Sequence, residues 1–275
     1  MTGGGLATST LINGAPGDTV SVDERALHYG DGLFETMRCR DGQVRWLDLH
    51  LARLACGCER LGIAMPDRDQ LQRELAQLAQ GQQRCLLKLI VTRGVATGRG
   101  YRPSGTEQPT RILRRYDWPP ALAGEYRVHH SPVRLGRNTA LAGIKHLNRL
   151  EQVLAQQAAA RAGVDEAVQR TESGELIAGT MSNVFLVDGN RWLTPPIVDC
   201  GIAGITRGLV LAHAAALGIE VHVQCLKSAD ALATPAIVLS NVRLGLQVVH
   251  WYEGRRLSVP ASVTRLWEAI DGAAI

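Results

Sequence analysis

The sequence contains no apolar run of the roughly 18 residues that a membrane-spanning helix requires. Its first residues also lack a basic segment followed by a long apolar core, which is the pattern of a secretory signal. Cysteines are few and scattered, since only Cys56 and Cys58 lie close together and neither is followed by His or Cys at zinc-finger spacing. These absences argue against a membrane protein, a secreted disulfide scaffold and a zinc module. They predict a cytoplasmic protein with reduced thiols and no metal site.

A strong charge of one sign is also missing. The formal net charge is +4 and the pI is near 8.8, and the basic residues form neither a Lys-rich tail nor a stripe interleaved with aromatics. This pattern predicts no nucleic-acid partner and weakly favours an anionic small molecule as the ligand.

The chain has 275 residues, of which 45% are hydrophobic, and this length is enough for one large domain or two medium domains with real cores. Helical and strand patterns are mixed without a regular βαβ alternation or an internal repeat, which indicates a mixed α+β fold. Two prolines at 119 and 120 are followed by small residues, a composition typical of a linker. We therefore predict a smaller N-terminal domain over 1–118, a linker over 119–125 and a larger C-terminal domain over 126–275.

One amphipathic helix is predicted over 46–63, because leucines and a cysteine recur on one face of it. His50 and Arg53 lie one turn apart at the edge of this apolar stripe. From there they could reach a ligand, or they could simply be a half-buried histidine and a solvated arginine. Further on, a buried strand over 84–93 leads into a loop with Arg99 and Tyr101. This loop could bind a carboxylate through the guanidinium fork, or it could be an exposed turn.

Lys145 follows a small Ala-Gly pair, and Ile144, Leu147, Leu150 and Leu154 recur around it at near-helical spacing. The pattern predicts a helix that has Lys145 at its N-terminal edge and ends near residue 163. A cation next to the positive end of a helix dipole loses its proton more easily. A neutral amine is what a Schiff base requires, although an ordinary surface lysine is the alternative.

Other segments have groups that could bind an anionic ligand. Gly204-Ile205-Thr206 at a predicted helix start offers backbone N–H groups and a hydroxyl to an anion. Ser240-Asn241 after a strand offers further donors, and Arg53 could bind a phosphate. An amine for an aldehyde, together with a phosphate cradle, indicates pyridoxal 5'-phosphate as the cofactor.

Several motifs of the chain resemble those of a known family. Tyr29-Gly30-Asp31-Gly32, Arg99-Gly100-Tyr101 and the segment from Ser131 through Lys145 to Val153 resemble the fold-type IV pyridoxal-phosphate enzymes. This group holds the branched-chain and D-amino-acid aminotransferases and the aminodeoxychorismate lyases, and the lysine segment is most similar to that of the lyases. The resemblance covers nearly the whole chain and implies the two-domain D-amino-acid-aminotransferase-like fold and a homodimer.

The resemblance also implies roles for individual residues and a reaction. Lys145 would be the Schiff-base lysine. The phosphate would be bound by Arg53, Ile205, Thr206, Asn241 and Val242. The substrate would be bound by Phe34, Arg99 and Tyr101, with Lys88 and Arg93 as unranked candidates for a second carboxylate. The implied activity is a carbon–oxygen lyase that converts 4-amino-4-deoxychorismate into 4-aminobenzoate and pyruvate in folate biosynthesis.

One residue departs from the family pattern. The family has Glu five residues before the asparagine that is Asn183 here, against the cofactor's pyridine nitrogen, and this chain has Ala178 there. Glu175 could replace the missing acid only if the backbone bulges. A lyase tolerates the loss better than an aminotransferase, because its aromatic product supplies driving force. A D-amino-acid or branched-chain aminotransferase and an inactive cofactor-binding protein are the alternatives, and Ala178 favours the latter.

Overall fold

The computed structural model describes residues 9–96, 98–120 and 124–272 of the chain. The chain divides into two compact units, Met1–Pro120 with Ile144–Asn148, and Ala121–Gly143 with Arg149–Ile275. The division after Pro120 falls within the linker predicted over 119–125, of which residues 121–123 lie outside the described part. The lysine segment, which the prediction assigned to the second domain, packs with the first unit.

The first unit is an antiparallel sheet with helices on one face. Its strands are β1 (Thr10–Ile12), β2 (Ala15–Pro16), β3 (Gly32–Arg40), β4 (Gln43–Val44), β5 (Arg84–Thr92) and β6 (Arg111–Asp117). Its helices are α1 (Arg25–Tyr29), α2 (Leu47–Leu61) and α3 (Arg68–Ala79). Among the described residues the strand order is β2-β1-β6-β5-β3-β4.

The alternation of strand β3 positions this sheet. Leu33, Glu35, Met37 and Cys39 are buried, while the residues between them are half-buried, because successive side chains of a strand point to opposite faces. The buried face packs against the apolar stripe of α2, which includes Leu51 and Leu54. A carboxylate at Glu35 is therefore carried into the core beneath α2, where it needs a partner.

The second unit is built on a larger mixed sheet. Its strands are β7 (Arg127–Leu135), β8 (Glu166–Thr171), β9 (Glu175–Gly179), β10 (Asn183–Asp188), β11 (Arg191–Thr194), β12 (Glu220–Val223), β13 (Leu226–Lys227), β14 (Ala236–Asn241), β15 (Gly245–Val249), β16 (Trp251–Tyr252) and β17 (Arg255–Arg256). Its α-helices are α4 (Leu150–Arg161), α5 (Ile205–His213), α6 (Ser228–Ala233) and α7 (Ala261–Gly272), and a 3-10 turn spans Ala215–Leu217.

The order of these strands places β8, β9, β10 and β14 side by side. The path runs β12-β11-β10-β9-β8-β7-β16-β17, and off it β13 pairs with β9 while β14 pairs with β10 and β15. One face of these strands carries an apolar core that includes Val168, Val184, Ile237 and Leu239. The opposite face carries polar residues, which are described with the site. No helix in the described ranges is long and apolar enough to cross a membrane.

The helix predicted to start at Lys145 begins later, at Leu150. Residues 144–148 instead run beside strand β3, where Phe34 N donates to Lys145 O at 2.9 Å and Leu147 N donates to Gly32 O at 3.0 Å. These hydrogen bonds occupy backbone groups that a helix would need. Leu150 and Leu154 of the predicted stripe are exposed, and Ala155 and Ala159 are the residues that α4 buries. Lys145 therefore does not lie at the N-terminus of this helix, contrary to the prediction.

Candidate active site

Lys145 lies over an aromatic ring in the first unit. Its Nζ is 4.2 Å from the ring centroid of Phe34, and the Nζ of Lys88 is 5.2 Å from the same centroid. Phe34 is on the face of β3 opposite to Glu35, and it is fixed by the backbone hydrogen bond from its N–H to Lys145 O. The amines of Lys145 and Lys88 are thus both held against the ring of Phe34. Cations over a ring face are favoured by the ring quadrupole.

A buried network joins strand β3 to helix α2. Arg53 donates from Nε to Glu35 Oε1 at 2.8 Å and from Nη2 to Glu35 Oε2 at 2.5 Å. His50 Nδ1 donates to Glu35 Oε2 at 2.6 Å. The side chains of Glu35 and His50 are 1% and 0% exposed, and that of Arg53 is 11% exposed. The spacing of His50 and Arg53 on one edge of α2 is what lets both reach one carboxylate.

Charge in this network is fixed. Burial alone would raise the pKa of Glu35, but the charge of Arg53 and the hydrogen bonds from His50 and Arg53 outweigh it and lower the pKa to about 2. Burial lowers the pKa of His50, against the opposing hydrogen bond to Glu35. An ionised Glu35 therefore pairs with a charged Arg53 and a neutral His50, which carries its proton on Nδ1.

Glu35 was missed by the sequence reasoning. The signal was present, because Glu35 occupies a core-facing place in the alternation Leu33, Glu35, Met37, and a buried acid requires a cation. Its consequence for the site is that the predicted phosphate-binding Arg53 is oriented by a carboxylate fork, which fixes its plane.

In the second unit, the start of helix α5 is a second polar centre. Asn183 Nδ2 donates to Ile202 O at 2.9 Å, and a Cβ built on Gly204 would lie 2.1 Å from Asn183 Oδ1. Glycine at 204 therefore permits the close approach of this side chain to the helix start. The Thr206 hydroxyl follows in the first turn, is buried, and has no hydrogen-bond partner within the described residues.

Register places four residues of this unit in a row across the sheet. Gln169 of β8 pairs with Ala178 of β9, Ala178 with Asn183 of β10, and Asn183 with Ser240 of β14. Directly paired residues share one face of a sheet, so these four form one row, here called the cross-strand row. All four are buried. Gln169 Oε1 and Ser240 Oγ have no hydrogen-bond partner in the described part of the chain.

The predicted phosphate loop at Asn241-Val242 is a tight turn. Leu244 N donates to Asn241 Oδ1 at 2.7 Å, and Asn241 pairs with Gly245 across the turn. Gly245 has φ +69, and an added Cβ would lie 2.6 Å from the ring of Trp267. The turn directly follows Ser240 of the cross-strand row, so the side chain of Ser240 and the backbone of this turn are adjacent.

The missing acid is not replaced by Glu175. The register does shift next to Gln169, because Arg170 pairs with Leu176, and this leaves Ile177 as the extra residue of a bulge. The carboxylate of Glu175, however, is bonded to Arg137 and lies 3.2 Å from Ser173 Oγ. Ala178 itself packs with Leu135, Ile177 and Cys200.

The loop with Arg99 and Tyr101 is exposed in the single chain, and Tyr101 is 84% exposed. The buried Arg25 holds this loop through the loop's backbone, since Arg25 Nη2 donates to Tyr101 O at 2.8 Å. Arg25 is itself oriented by Asp31, because its Nε donates to Asp31 Oδ2 at 2.8 Å. Phe34, which sequence reasoning grouped with these two residues, has its ring centroid 4.2 Å from Lys145 Nζ.

Arg93 and Lys88 were unranked candidates for a second substrate carboxylate. Arg93 donates to both oxygens of Asp31 and to the carbonyl groups of Leu61 and Gly62. Lys88 lies beside Phe34 on the same ring as Lys145. Lys88 therefore shares the ring of Phe34 with Lys145, whereas the guanidinium of Arg93 is bound to Asp31 and to backbone carbonyl groups.

The chain is similar to known proteins over most of its length. The family model for amino-transferase class IV matches residues 32–251. The aminodeoxychorismate lyase of Vibrio harveyi is 29% identical, over 95% of this chain and 97% of its own. A putative branched-chain-amino-acid aminotransferase of Methanocaldococcus jannaschii is 33% identical, over 86% of this chain and 83% of its own. The crystal structure of 4-amino-4-deoxychorismate lyase from Pseudomonas aeruginosa is similar with a TM-score of 0.88 and 33% identity, over 96% of this chain and 98% of that one.

Proposed function

The chain belongs to the class IV amino-transferase family and has its fold-type IV architecture, and from this premise we propose that it is a lyase that converts 4-amino-4-deoxychorismate into 4-aminobenzoate and pyruvate. The observation that carries the proposal is the similarity to a lyase structure over nearly the full length of both chains. The expected fold and family are thereby confirmed, and the specific reaction is our inference for this chain.

The residues present fit pyridoxal phosphate. Two buried hydroxyl groups, Thr206 Oγ1 and Ser240 Oγ, have no partner within the described ranges. A buried hydroxyl without a hydrogen bond is costly, and phosphate oxygens accept such bonds. The start of α5 adds backbone N–H groups that point out of the helix and favour an anion.

We assign the phosphate to Ile205 and Thr206 at this helix start, to Asn241 and Val242 at the turn, and to Arg53. Lys145 would hold the aldehyde. When bound, pyridoxal phosphate supplies an aldehyde that condenses with amines and a ring that accepts electrons from the bond that breaks.

The proton steps fall to Lys145. Once the substrate amine has released it, the Lys145 amine would remove the proton from the amine-bearing carbon of the substrate ring. The C–O bond to the enolpyruvyl group would then break as the substrate ring becomes aromatic, and the same lysine would return the proton to the departing methylene carbon. One residue thus acts first as general base and then as general acid. Its place against Phe34 limits the directions from which it can act.

The substrate has two carboxylates. We propose that Lys88 binds one of them, because it lies beside Phe34 near Lys145. Arg99 and Tyr101 would bind the other. Their exposure in the single chain suits a homodimer in which this loop is covered on assembly. Leu150, Val153 and Leu154 on α4 are 76%, 48% and 52% exposed, and such an exposed apolar stripe supports a second contact surface. Sedimentation of the purified protein tests the dimer.

We also propose a cytoplasmic location. The six cysteines are free, and Cys39, Cys58, Cys85 and Cys200 are buried. Unpaired buried thiols are typical of proteins that stay in a reducing compartment.

One assay tests the reaction. Purified protein given pyridoxal phosphate should be yellow and should release pyruvate from 4-amino-4-deoxychorismate with no keto acid added. Lys145→Ala should lose both properties, while Lys227→Ala, a change at an exposed lysine, should keep both. Colour without pyruvate would contradict the lyase and favour an aminotransferase, the second candidate, which the 33% identical archaeal relative supports. That alternative requires an added keto acid as amino acceptor.

A further inference from the structure

The cross-strand row has unmet hydrogen-bonding groups at both of its ends. At one end the Ser240 hydroxyl lies next to the Asn241 turn. At the other end Gln169 is 0% exposed, and its Oε1 has no partner within the described residues. Its Nε2 makes one long contact, 3.5 Å to Glu151 O. Since that contact is to a carbonyl oxygen, the amide group is placed correctly and the unpartnered atom is an acceptor.

The two ends of the row differ in the ligand groups that they can bind. The Ser240 end has hydrogen-bond donors, which suit a phosphate. The Gln169 end has an acceptor, which suits a ligand atom that donates a hydrogen bond. Adjacent strands are about 4.8 Å apart, so Ala178 lies about two strand spacings from Ser240, and Gln169 lies next to it. Ala178 has only a methyl group, so no longer side chain extends from this position past the amide of Gln169.

Pyridoxal phosphate can satisfy the donors at one end of the row and the acceptor at the other in only one orientation. With the phosphate at the Ser240 end, the ring points towards Ala178 and Gln169. The phenolate oxygen of the ring is an acceptor and cannot satisfy another acceptor, whereas a protonated ring nitrogen is a donor. We propose that Gln169 Oε1 accepts the hydrogen bond of the cofactor's pyridine nitrogen, taking the place that a carboxylate at position 178 would have.

This role has a chemical consequence. A carboxylate holds a proton on the ring nitrogen through a charged hydrogen bond, whereas a neutral amide forms a weaker bond and favours the protonated ring less strongly. Gln169 would therefore position the ring and hold its proton more weakly than a carboxylate does. The proposal rests on the proposed function, since it requires that pyridoxal phosphate binds.

The test is the nitrogen NMR resonance of the holoenzyme loaded with pyridoxal phosphate that carries ¹⁵N in the ring. Gln169→Glu should move the resonance towards that of a protonated ring nitrogen, and Gln169→Leu should move it the opposite way. Loss of one neutral hydrogen bond in Gln169→Leu should weaken cofactor binding roughly fivefold. Gln169→Asn keeps the amide but is one methylene shorter. It should resemble the leucine variant, and it serves if leucine prevents folding.

Gln247→Leu is the matched control. Gln247 pairs with Leu239 of β14, next to Ser240, so its side chain lies on the face opposite to the cross-strand row. It should change neither the resonance nor the affinity. Identical resonances and affinities in the wild type and the Gln169 variants, all with cofactor bound, would overturn the role of Gln169. A wild-type protein that binds no pyridoxal phosphate would instead overturn the proposed function itself.

Discussion

The buried charge of Glu35 is expected to stabilise the first unit, and Glu35→Gln removes this charge while keeping the shape of the side chain. In the folded chain its pKa is about 2, against an ordinary value of 4.5. A difference of about 2.5 units at about 1.36 kcal/mol per unit corresponds to about 3.4 kcal/mol of stability at neutral pH. Breaking a buried ion pair by removing one partner costs a similar amount, about 3–5 kcal/mol, because Arg53 stays largely buried.

The sign of this effect follows from the lowered pKa. The folded state holds Glu35 ionised more strongly than the unfolded state does. The stabilisation is therefore complete above the unfolded pKa of 4.5 and is lost as the pH falls through the folded pKa of about 2. We expect the wild type to exceed Glu35→Gln by about 3 kcal/mol above pH 6, by roughly half as much near pH 3, and by little below pH 2.

The assay is urea unfolding of the cofactor-free protein at fixed protein concentration from pH 7 to pH 3. Asp48→Asn is the matched control, because Asp48 is also on α2 and pairs with Arg68, but both side chains are exposed. An exposed pair contributes about 1 kcal/mol or less. A difference between wild type and Glu35→Gln that does not change between pH 6 and pH 3 would refute the reasoning, because it would show that the charge of Glu35 is not what stabilises the fold.

Three further outcomes are expected. Ala178→Glu should raise the ratio of amino transfer to pyruvate release, measured with an added keto acid, and an unchanged ratio would contradict the role given to this position. Thr206→Val should weaken binding of pyridoxal phosphate by roughly 10- to 150-fold in a fluorescence titration, with little change in thermal stability, because a buried hydroxyl bond to a charged group is lost. Gly179→Ala should destabilise the protein by about 1–3 kcal/mol or more in chemical unfolding, because its Cβ would lie 2.2 Å from Glu166 Oε1; an unchanged midpoint would show that Glu166 yields easily.

Features that depend on a few neighbouring residues could be predicted from the sequence. Helix α2 was expected over 46–63 and spans Leu47–Leu61, because its apolar stripe is long and regular. The strand expected over 84–93 spans Arg84–Thr92. The turn at Gly189 joins β10 and β11 and is of the same local kind, since Asp-Gly-Asn favours left-handed backbone there.

Features that depend on distant residues could not be predicted in this way. The spacing of Ile144, Leu147, Leu150 and Leu154 favours a helix around Lys145. Hydrogen bonds from the distant strand β3 keep residues 144–148 extended instead. Local spacing contains no information on these bonds. The predicted helix is therefore present only from Leu150 onward, and the leucines of the predicted stripe are not the residues that it buries. The roles proposed for the cofactor-binding residues remain predictions, with the unpartnered hydroxyl groups as their support.

The neighbourhood of Ala178 could not be read from spacing at all. Gln169 and Ala178 are nine positions apart, and only the register of β8 with β9 makes them neighbours. Alternation within β8 marks Gln169 as buried, but it does not show which residue lies opposite. Sequence distance alone therefore suggests Glu175 as the nearby acid, but the carboxylate of Glu175 is bonded to Arg137.

An amide at this place bears on which reaction the site can support. A charged hydrogen bond exceeds a neutral one by roughly 1–2 kcal/mol, so a step that depends on the ring's positive charge slows about tenfold when the acid is replaced. In an aminotransferase nothing in the product offsets this loss, because one amino acid is exchanged for another. In the lyase, expulsion of pyruvate makes a benzene ring, and that gain begins to develop as the C–O bond breaks. The same replacement would therefore handicap amino transfer more than lysis, so the proposed contact of Gln169 beside Ala178 favours a lyase over an aminotransferase.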